Sequence, residues 1–445
     1  MSRYPLISAA LAAGSLFAGA SAVAQTAPND NRTLGQILFD RGVSLSADYT
    51  GEAASNPSGG IRHSTDYAGQ IHLGGDFDFN KIANIAGSSA HIDIDQRHGR
   101  NLAADAIGNN TSVQEIYGTQ DVHLANLTLE QKLFDDRIDI TAGRTVANIT
   151  FLNSPIYCNF QSNSACGNPT FVFKDSNFTY WPASSWGGDI KGMLTDTLYL
   201  HAGAYEVNPY DKLTSKSNGI DFSTTDATGA TIPFELGYAT SFANDALPRH
   251  YQIGGWYDDS DYSDPVNDAK GNKAILSGNP YATNHGRSGA FFRFDQMIWR
   301  PDANSKRGLT LFGVVMTRVS GRVNEDQYYE LGLLQTGTFA GRDQDTLGFV
   351  INDQEFSNLA LSQIRAARQS AGGTGSIPAR EVMMELAYGA QITPAVRLSP
   401  NLQYIVNPDQ MAEPFRTKSI PDAFVVGFKF TVDLANFVGL AAPAH

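Results

Sequence analysis

One ten-residue stretch of the chain, "SSAHIDIDQR", carries an ionisable side chain at every second position. Successive side chains of a strand point to opposite faces, so these four groups share one face and the apolar residues between them share the other. Such a face could hold a metal ion, perform acid–base chemistry or line water. The four groups are His91, Asp93, Asp95 and Arg97.

The first two possibilities find little support in the sequence. A calcium loop would need an oxygen ligand and a glycine where Arg97 and His98 stand. The chain has no G-x-S-x-G motif, and its serines, histidines and acids are too scattered to define a triad. A carboxylate pair such as Asp93 with Asp95 is explained more simply as part of one wetted wall. We therefore expect neither an enzyme nor a bound metal or cofactor.

The same alternation recurs in about sixteen segments of about ten residues each. One of the clearest is "AFVVGFKFTV" near the end of the chain, where Phe424, Val426 and Phe428 oppose Gly427 and Lys429. Short connections alternate with mostly longer ones along the chain, which is typical of an up-and-down outer-membrane barrel with periplasmic turns and extracellular loops. The sequence predicts an all-β, antiparallel transmembrane barrel of about sixteen strands.

The beginning of the chain reads as an export signal over residues 1–24, with Arg3, an apolar run and the small residues before Gln25. Residues 25–41 then form an N-terminal periplasmic segment with a short amphipathic helix in "RTLGQILFDR". The barrel occupies residues 42–445, including a C-terminal extension after about residue 432. A further helix is predicted at 356–370, inside a long outer loop.

Charge and hydropathy limit the partners. No window after the signal approaches the roughly 18 unbroken apolar residues of a membrane helix. The net charge of −13 argues against nucleic acid as a partner. Outer-membrane lipid on one face and small solutes on the other are the expected partners.

A barrel of about sixteen strands encloses an aqueous channel, so its inward face is the candidate functional surface. Slipping one strand by a residue would move charges into lipid at about 2 to 4 kcal/mol for each Arg or Lys near the midplane, which specifies the register. The inward-facing charges that we take as candidate pore-lining or substrate-contact residues are Asp93, Asp95, Arg97, Glu130, Glu235, Arg293, Glu330 and Arg397.

The longest connection, residues 146–184, either folds into the channel or decorates the extracellular surface. We take Trp181 and Trp186 as candidate aromatic residues of this loop. Cys158 and Cys166 stand eight positions apart in it, and an oxidising compartment favours a disulfide between them.

Several segments, including "LTLEQKLFDDRIDITAGR", "CNFQSNSACGNP" and "EVMMELAYGAQITPAVRLSPNLQYIVNPDQ", resemble the carbohydrate-selective porins of the OprB family. The resemblance runs in order over nearly the whole chain after the signal. It implies a sixteen-stranded barrel in the Gram-negative outer membrane that passes small neutral sugars, monosaccharides such as glucose among them, by passive diffusion. The implied constriction is lined by arginines, acids and aromatic residues, and a monomer and a homotrimer both stay open.

Within the segments that resemble the family, Arg97, Glu130 and Arg144 are the favoured pore residues. Arg144 shares a face with Ile138 and Ile140, so it breaks the alternation of its strand and could sit at the rim instead. Two other classes remain as alternatives: an exported sugar-binding β protein without a channel and, less favoured, a barrel hydrolase.

Overall fold

The computed structural model describes residues 32–209 and 218–442. Sixteen antiparallel strands, each paired with its neighbours in chain order, form a barrel that closes where β1 pairs with β16. The predicted signal at 1–24 lies outside the described residues. Within the described ranges, no helix is both long and apolar enough to cross a membrane.

The predicted strand count and up-and-down order are confirmed. The strands are β1 Val43–Ser58, β2 Thr65–Asp78, β3 Ser88–Gly99, β4 Val122–Leu133, β5 Ile138–Thr145, β6 Ser185–Met193, β7 Leu198–Val207, β8 Gly229–Ala239, β9 Arg249–Asp268, β10 Tyr281–Trp299, β11 Gly308–Ser320, β12 Glu325–Thr336, β13 Thr346–Phe356, β14 Arg380–Thr393, β15 Val396–Val406 and β16 Ala423–Asp433. Within the described ranges, the α-helices are α1 Leu34–Asp40, α2 Phe79–Ala83, α3 Thr170–Lys174, α4 Ala274–Ser277, α5 Asn358–Ser370 and α6 Leu434–Phe437.

The period-two alternation separates the two faces of the wall as the sequence predicts. In β12, Glu330 points inward and is 5% exposed, whereas the next residue, Leu331, points outward and is 51% exposed. The outward face carries exposed Leu, Ile, Val and Phe side chains all around the barrel, including Leu129 and Phe292. This arrangement suits a wall with lipid outside and polar groups inside.

The predicted alternation of short and long connections is also present. Seven turns lie at one end, the shortest joining β14 to β15 through two residues, and eight connections lie at the other end. At this second end β9 and β10 extend further than the sequence predicted, through most of the segment 258–287 that was expected to be a loop. Residues 258–268 are polar on both faces, so backbone pairing with β10 rather than apolar alternation makes them a strand.

The first and last described segments of the chain meet beside the barrel seam. Thr33 and Gln36 form a capping box at the start of α1. The Gly35 N–H donates to the Gly439 carbonyl at 2.8 Å, so α1 lies against the segment that follows α6. The described residues after β16 thus form a short helix, and the segment that follows this helix packs on the N-terminal helix.

Two long connections fold into the barrel. We call residues 100–121, between β3 and β4, the first infolded loop, and residues 146–184, between β5 and β6, the second infolded loop. Apolar side chains of the second loop, such as Phe151 and Phe171, pack in one cluster with the inward-facing Trp256, Val314 and Met316. The inward fold that the sequence analysis posed as one of two alternatives for 146–184 is therefore the one observed.

Candidate functional site: the constriction between the infolded loops

The two infolded loops hydrogen bond to each other inside the barrel. The Glu115 N–H donates to the Gln161 carbonyl at 2.9 Å, and the Asn163 N–H donates to the Ser112 carbonyl at the same distance. The Gln161 side chain adds a bond from Nε2 to the Val113 carbonyl at 3.3 Å. The loops are thus joined backbone to backbone and narrow the channel as one unit.

Buried polar residues of the wall fix the second infolded loop. The Glu385 carboxylate accepts the N–H groups of Gln161 and Ser162 at 2.7 and 2.8 Å, one on each oxygen. On another part of the wall, Arg293 donates to the Asn153 carbonyl at 2.6 Å. Buried backbone N–H and C=O groups need hydrogen-bond partners. These wall side chains supply them, so the loop backbone needs no strand pairing inside the channel.

The first infolded loop is held in the same manner. The Glu52 carboxylate accepts the Ile116 N–H at 3.2 Å, and the Glu381 carboxylate accepts from the Asn109 side chain at 3.1 Å. Leu102 and Ile107 pack against the wall in a separate apolar cluster. Both loops are therefore attached to the wall by hydrogen bonds and by apolar packing.

Between the loops lies a cavity of about 250 Å³. Its lining combines charged, amide and aromatic side chains. The charged members are Arg97, Glu115 and Lys174, and the aromatic members include Phe173, Tyr180 and Trp181.

Arg97 projects from the end of β3 into this cavity and is held by neutral and acidic partners. Its Nε donates to Gln70 Oε1 at 2.7 Å, and one terminal nitrogen lies 4.0 Å from the Glu115 carboxylate. The side chain is only 5% exposed. The guanidinium is therefore fixed in direction, with its charge partly balanced by Glu115.

Lys174 supplies the second cation from the short helix α3. Its Nζ lies 2.8 Å from the Glu325 carboxylate and donates to Thr111 Oγ1 at 2.9 Å. Burial by itself lowers the pKa of Lys174, but the combined attraction of Glu325, Asp409 and Glu381 outweighs burial and leaves the pKa above its usual value. Each cation of the cavity thus has an acid beside it, which favours neutral polar solutes over ions.

Trp181 provides a flat aromatic surface and is fixed by the wall. Its indole N–H donates to Asp95, whose carboxylate also contacts His72 Nδ1 at 3.0 Å. Phe173 and Tyr180 meet edge to face with ring centroids 5.1 Å apart. Aromatic faces next to hydrogen-bonding groups can pack against the apolar faces of a sugar ring.

A family model described as "Carbohydrate-selective porin, OprB family" matches residues 62–434. The chain belongs to this family. It is 29% identical over 441 residues to Porin B of Pseudomonas aeruginosa, covering 94% of this chain and 95% of that protein. It is also 29% identical over 419 residues to the putative porin QuiX of Acinetobacter baylyi, with 89% and 90% coverage.

The high-pH structure of Pseudomonas putida OprB has the same architecture, with a TM-score of 0.79, 28% identity and coverage of 89% of this chain and 96% of that one. The resemblance inferred from the sequence is thus confirmed. The protein is an outer-membrane porin for carbohydrates with a sixteen-stranded barrel.

The porin's other predicted pore residues lie on the inner face but outside the cavity. Asp93 accepts from Asn126 at 3.1 Å, and Glu130 accepts from Ser89 at 2.7 Å nearer the short turns. Glu235, Arg293 and Glu330 are buried in the wall, where the infolded loops cover them, and Arg397 lies near the short-turn end, 3.2 Å from Asn159. Of the predicted set, Arg97 and Trp181 line the cavity, and Asp95 holds Trp181.

Arg144 and Trp186 lie elsewhere than predicted: Arg144 does not line the pore, and Trp186, expected as an aromatic residue of the long loop, belongs to strand β6. Arg144 is paired across the sheet with Leu127 and Trp186, both of which point outward, and directly paired residues share a face. Arg144 donates to the Ser184 carbonyl at 2.8 Å, and its guanidinium lies 5.7 Å from the Phe222 ring centre. It therefore sits at the rim, the alternative that its broken alternation suggested.

The two cysteines also differ from the expectation. Both carry free thiols in the structure, so the predicted disulfide is not formed there. A hydrogen bond with the Cys166 thiol lowers the pKa of the Cys158 thiol to about 7. Cys166 itself lies 3.4 Å from Lys429 Nζ, so its sulfur faces an ammonium group.

Several cavity residues escaped the sequence analysis because they lie in loops without a period. Glu115 and Lys174 are examples, and neither stands in an alternating segment. One signal was available: Thr170, Phe173 and Lys174 have the spacing that puts three residues on one helix face.

Proposed function

We propose that the cavity between the infolded loops is the selective constriction of this porin and that small neutral sugars, monosaccharides such as glucose among them, diffuse through it passively. The observation that carries the proposal is the composition of the cavity. Compensated charges at Arg97 with Glu115 and at Lys174 with Glu325 face aromatic rings in a space of about 250 Å³. Such a site can hydrogen bond the hydroxyl groups of a solute, and because its charges are balanced it does not need an ion to neutralise them.

The experiment compares sugar uptake by liposomes containing the purified porin and its variants. Arg97→Ala should change both the conductance in planar bilayers and the ratio of glucose to disaccharide flux. Lys132→Ala is the matched control, because Lys132 is a cation on the same face of β4 as Glu130 and pairs with Glu130 at 3.2 Å, outside the cavity and away from both infolded loops. Equal conductance and an equal flux ratio for wild type and Arg97→Ala would contradict the proposal.

We also propose that residues 1–24 are an export signal, that the porin moves sugars without chemically changing them and that small ions pass through the same channel. Mass spectrometry of the protein recovered from outer membranes tests the first proposal, since a mature chain should begin at Gln25. Recovery of unmodified sugar after transit tests the second. A salt current that a sugar reduces tests the third, because both solutes would then share one path.

A further inference from the structure

The short helix α3 presents one of its faces to the cavity and the opposite side to the barrel wall. Thr170, Phe173 and Lys174 all line the cavity. The residues between them, Phe171 and Val172, are fully buried in the apolar cluster against the wall. The packing of these two apolar residues therefore fixes which side chains α3 offers to a solute.

Thr170 is unusual among the residues of this face. Its hydroxyl is buried, with the residue 2% exposed, and it has no hydrogen-bond partner among the described residues. The nearby hydroxyl of Thr111 bonds both Gln354 and Lys174. Buried hydroxyls are nearly always paired, so an unpaired one that lines a cavity points to a group arriving from the cavity.

Two amide side chains of the same cavity are similarly unengaged. Within the described part of the chain, the side chains of Asn110 and Asn163 form no hydrogen bond, although both residues bond through their backbone N–H groups. Two other asparagines of the lining have partners within the protein: the Asn168 side chain donates to the Phe151 carbonyl, and the Asn148 side chain accepts the backbone N–H of Trp181. The cavity thus contains structural amides and amides left for a solute.

We infer that Thr170, Asn110 and Asn163 read the hydroxyl groups of the passing sugar, while Phe173 and Trp181 pack against its ring. An amide offers both a donor and an acceptor, and a threonine hydroxyl offers the same, so together they match the donor–acceptor character of a hydroxyl group. The ligand class that fits is a neutral, compact, polyhydroxylated ring. This inference rests on the proposed function, since it places the reading groups within the proposed constriction.

The test measures how strongly sugars block the ion current through single channels of the purified porin. Thr170→Val removes the hydroxyl and keeps the shape, and we expect the half-blocking glucose concentration to rise about three- to tenfold, the effect of losing one hydrogen bond. The thermal unfolding temperature should not fall, because this hydroxyl has no partner in the protein to lose. The half-blocking concentration of a deoxy-glucose analogue should then differ less between wild type and variant than that of glucose does.

Asn110→Ala provides a second variant at an exposed position, and Asn168→Ala is the matched control for an amide with a structural partner. We expect Asn110→Ala to weaken the block without loss of stability and Asn168→Ala to lower the unfolding temperature.

If Thr170→Val and Asn110→Ala leave the block unchanged while Arg97→Ala weakens it, the inference is wrong and the proposed constriction stands. If Arg97→Ala also has no effect, the proposed function fails with it. If Thr170→Val lowers the unfolding temperature, its hydroxyl is structural and the inference is overturned.

Discussion

Glu385 offers the sharpest test of how the second infolded loop is held. Its two oxygens each accept one backbone N–H, from Gln161 and Ser162, at 2.7 and 2.8 Å, and the side chain is almost fully buried. In Glu385→Gln, the amide oxygen can still accept one of these bonds, but the amide nitrogen faces the other N–H. One charge-assisted bond is lost and a buried N–H is left without an acceptor.

The expected cost follows from these contacts. Losing a hydrogen bond to a charged group and stranding a buried donor amount together to about 3 kcal/mol. That free energy corresponds to about a hundredfold change in the equilibrium between attached and detached loop. The detached loop no longer narrows the channel, so the channel should admit larger solutes.

Single-channel recording and disaccharide uptake by liposomes check the prediction. Glu385→Gln should show more frequent openings to a larger conductance, together with disaccharide flux. Glu235→Gln is the matched control, because Glu235 is also a buried carboxylate of the lumen but its partners Tyr199, His201 and Gln252 are all strand residues. If Glu385→Gln keeps the wild-type conductance and size limit, the loop is not held in place by Glu385 and the reasoning is refuted.

Two further predictions concern the wall and one of its turns. Leu129→Arg places a charge on the exposed outward face and should destabilise the folded barrel by up to about 2 to 4 kcal/mol, the cost at the bilayer midplane, so heat-modifiable migration in detergent should be lost at a lower temperature; Leu129→Ile should behave as wild type. Burial raises the pKa of Asp345, but hydrogen bonds from Tyr388, Arg342 and Gln391 outweigh burial and hold the pKa below 3.8. The stability that this carboxylate contributes is therefore complete above pH 3.8 and is lost as the pH falls through its lower pKa in the folded protein. Asp345→Asn should destabilise the porin at pH 7, and the difference in stability from wild type should vanish in acid. A constant difference at every pH would contradict this prediction.

The architecture of this porin is legible in its sequence because lipid and water act on opposite faces of each strand. Alternation marks a strand only where the two faces differ, so it missed the polar extensions of β9 and β10. The same difference between the two faces explains why β11 is apolar on both sides. In β11, the outward Val315 has inward apolar neighbours, Val314 and Met316, and a strand that is apolar on both faces must be covered on both.

The constriction was less accessible to sequence reasoning. Parity placed Arg97 on the inner face and correctly left Arg144 in doubt, since both belong to strands. Glu115, Thr170 and Lys174 occupy loops, whose side-chain directions depend on where the loop packs in three dimensions. Chemical type alone did not single them out from the many polar residues of other connections.

The seam of the barrel has a consequence for the order of events during biogenesis. Strand β1 has hydrogen-bonding partners on both edges, and one of them is β16, so that Thr50 lies opposite Thr431. One edge of the first strand to leave the ribosome therefore stays without its partner until the last strand has been synthesised and exported. Throughout that interval, the exposed edge must be shielded from other chains, so the time between translation and closure is the stage at which this porin most depends on help from chaperones.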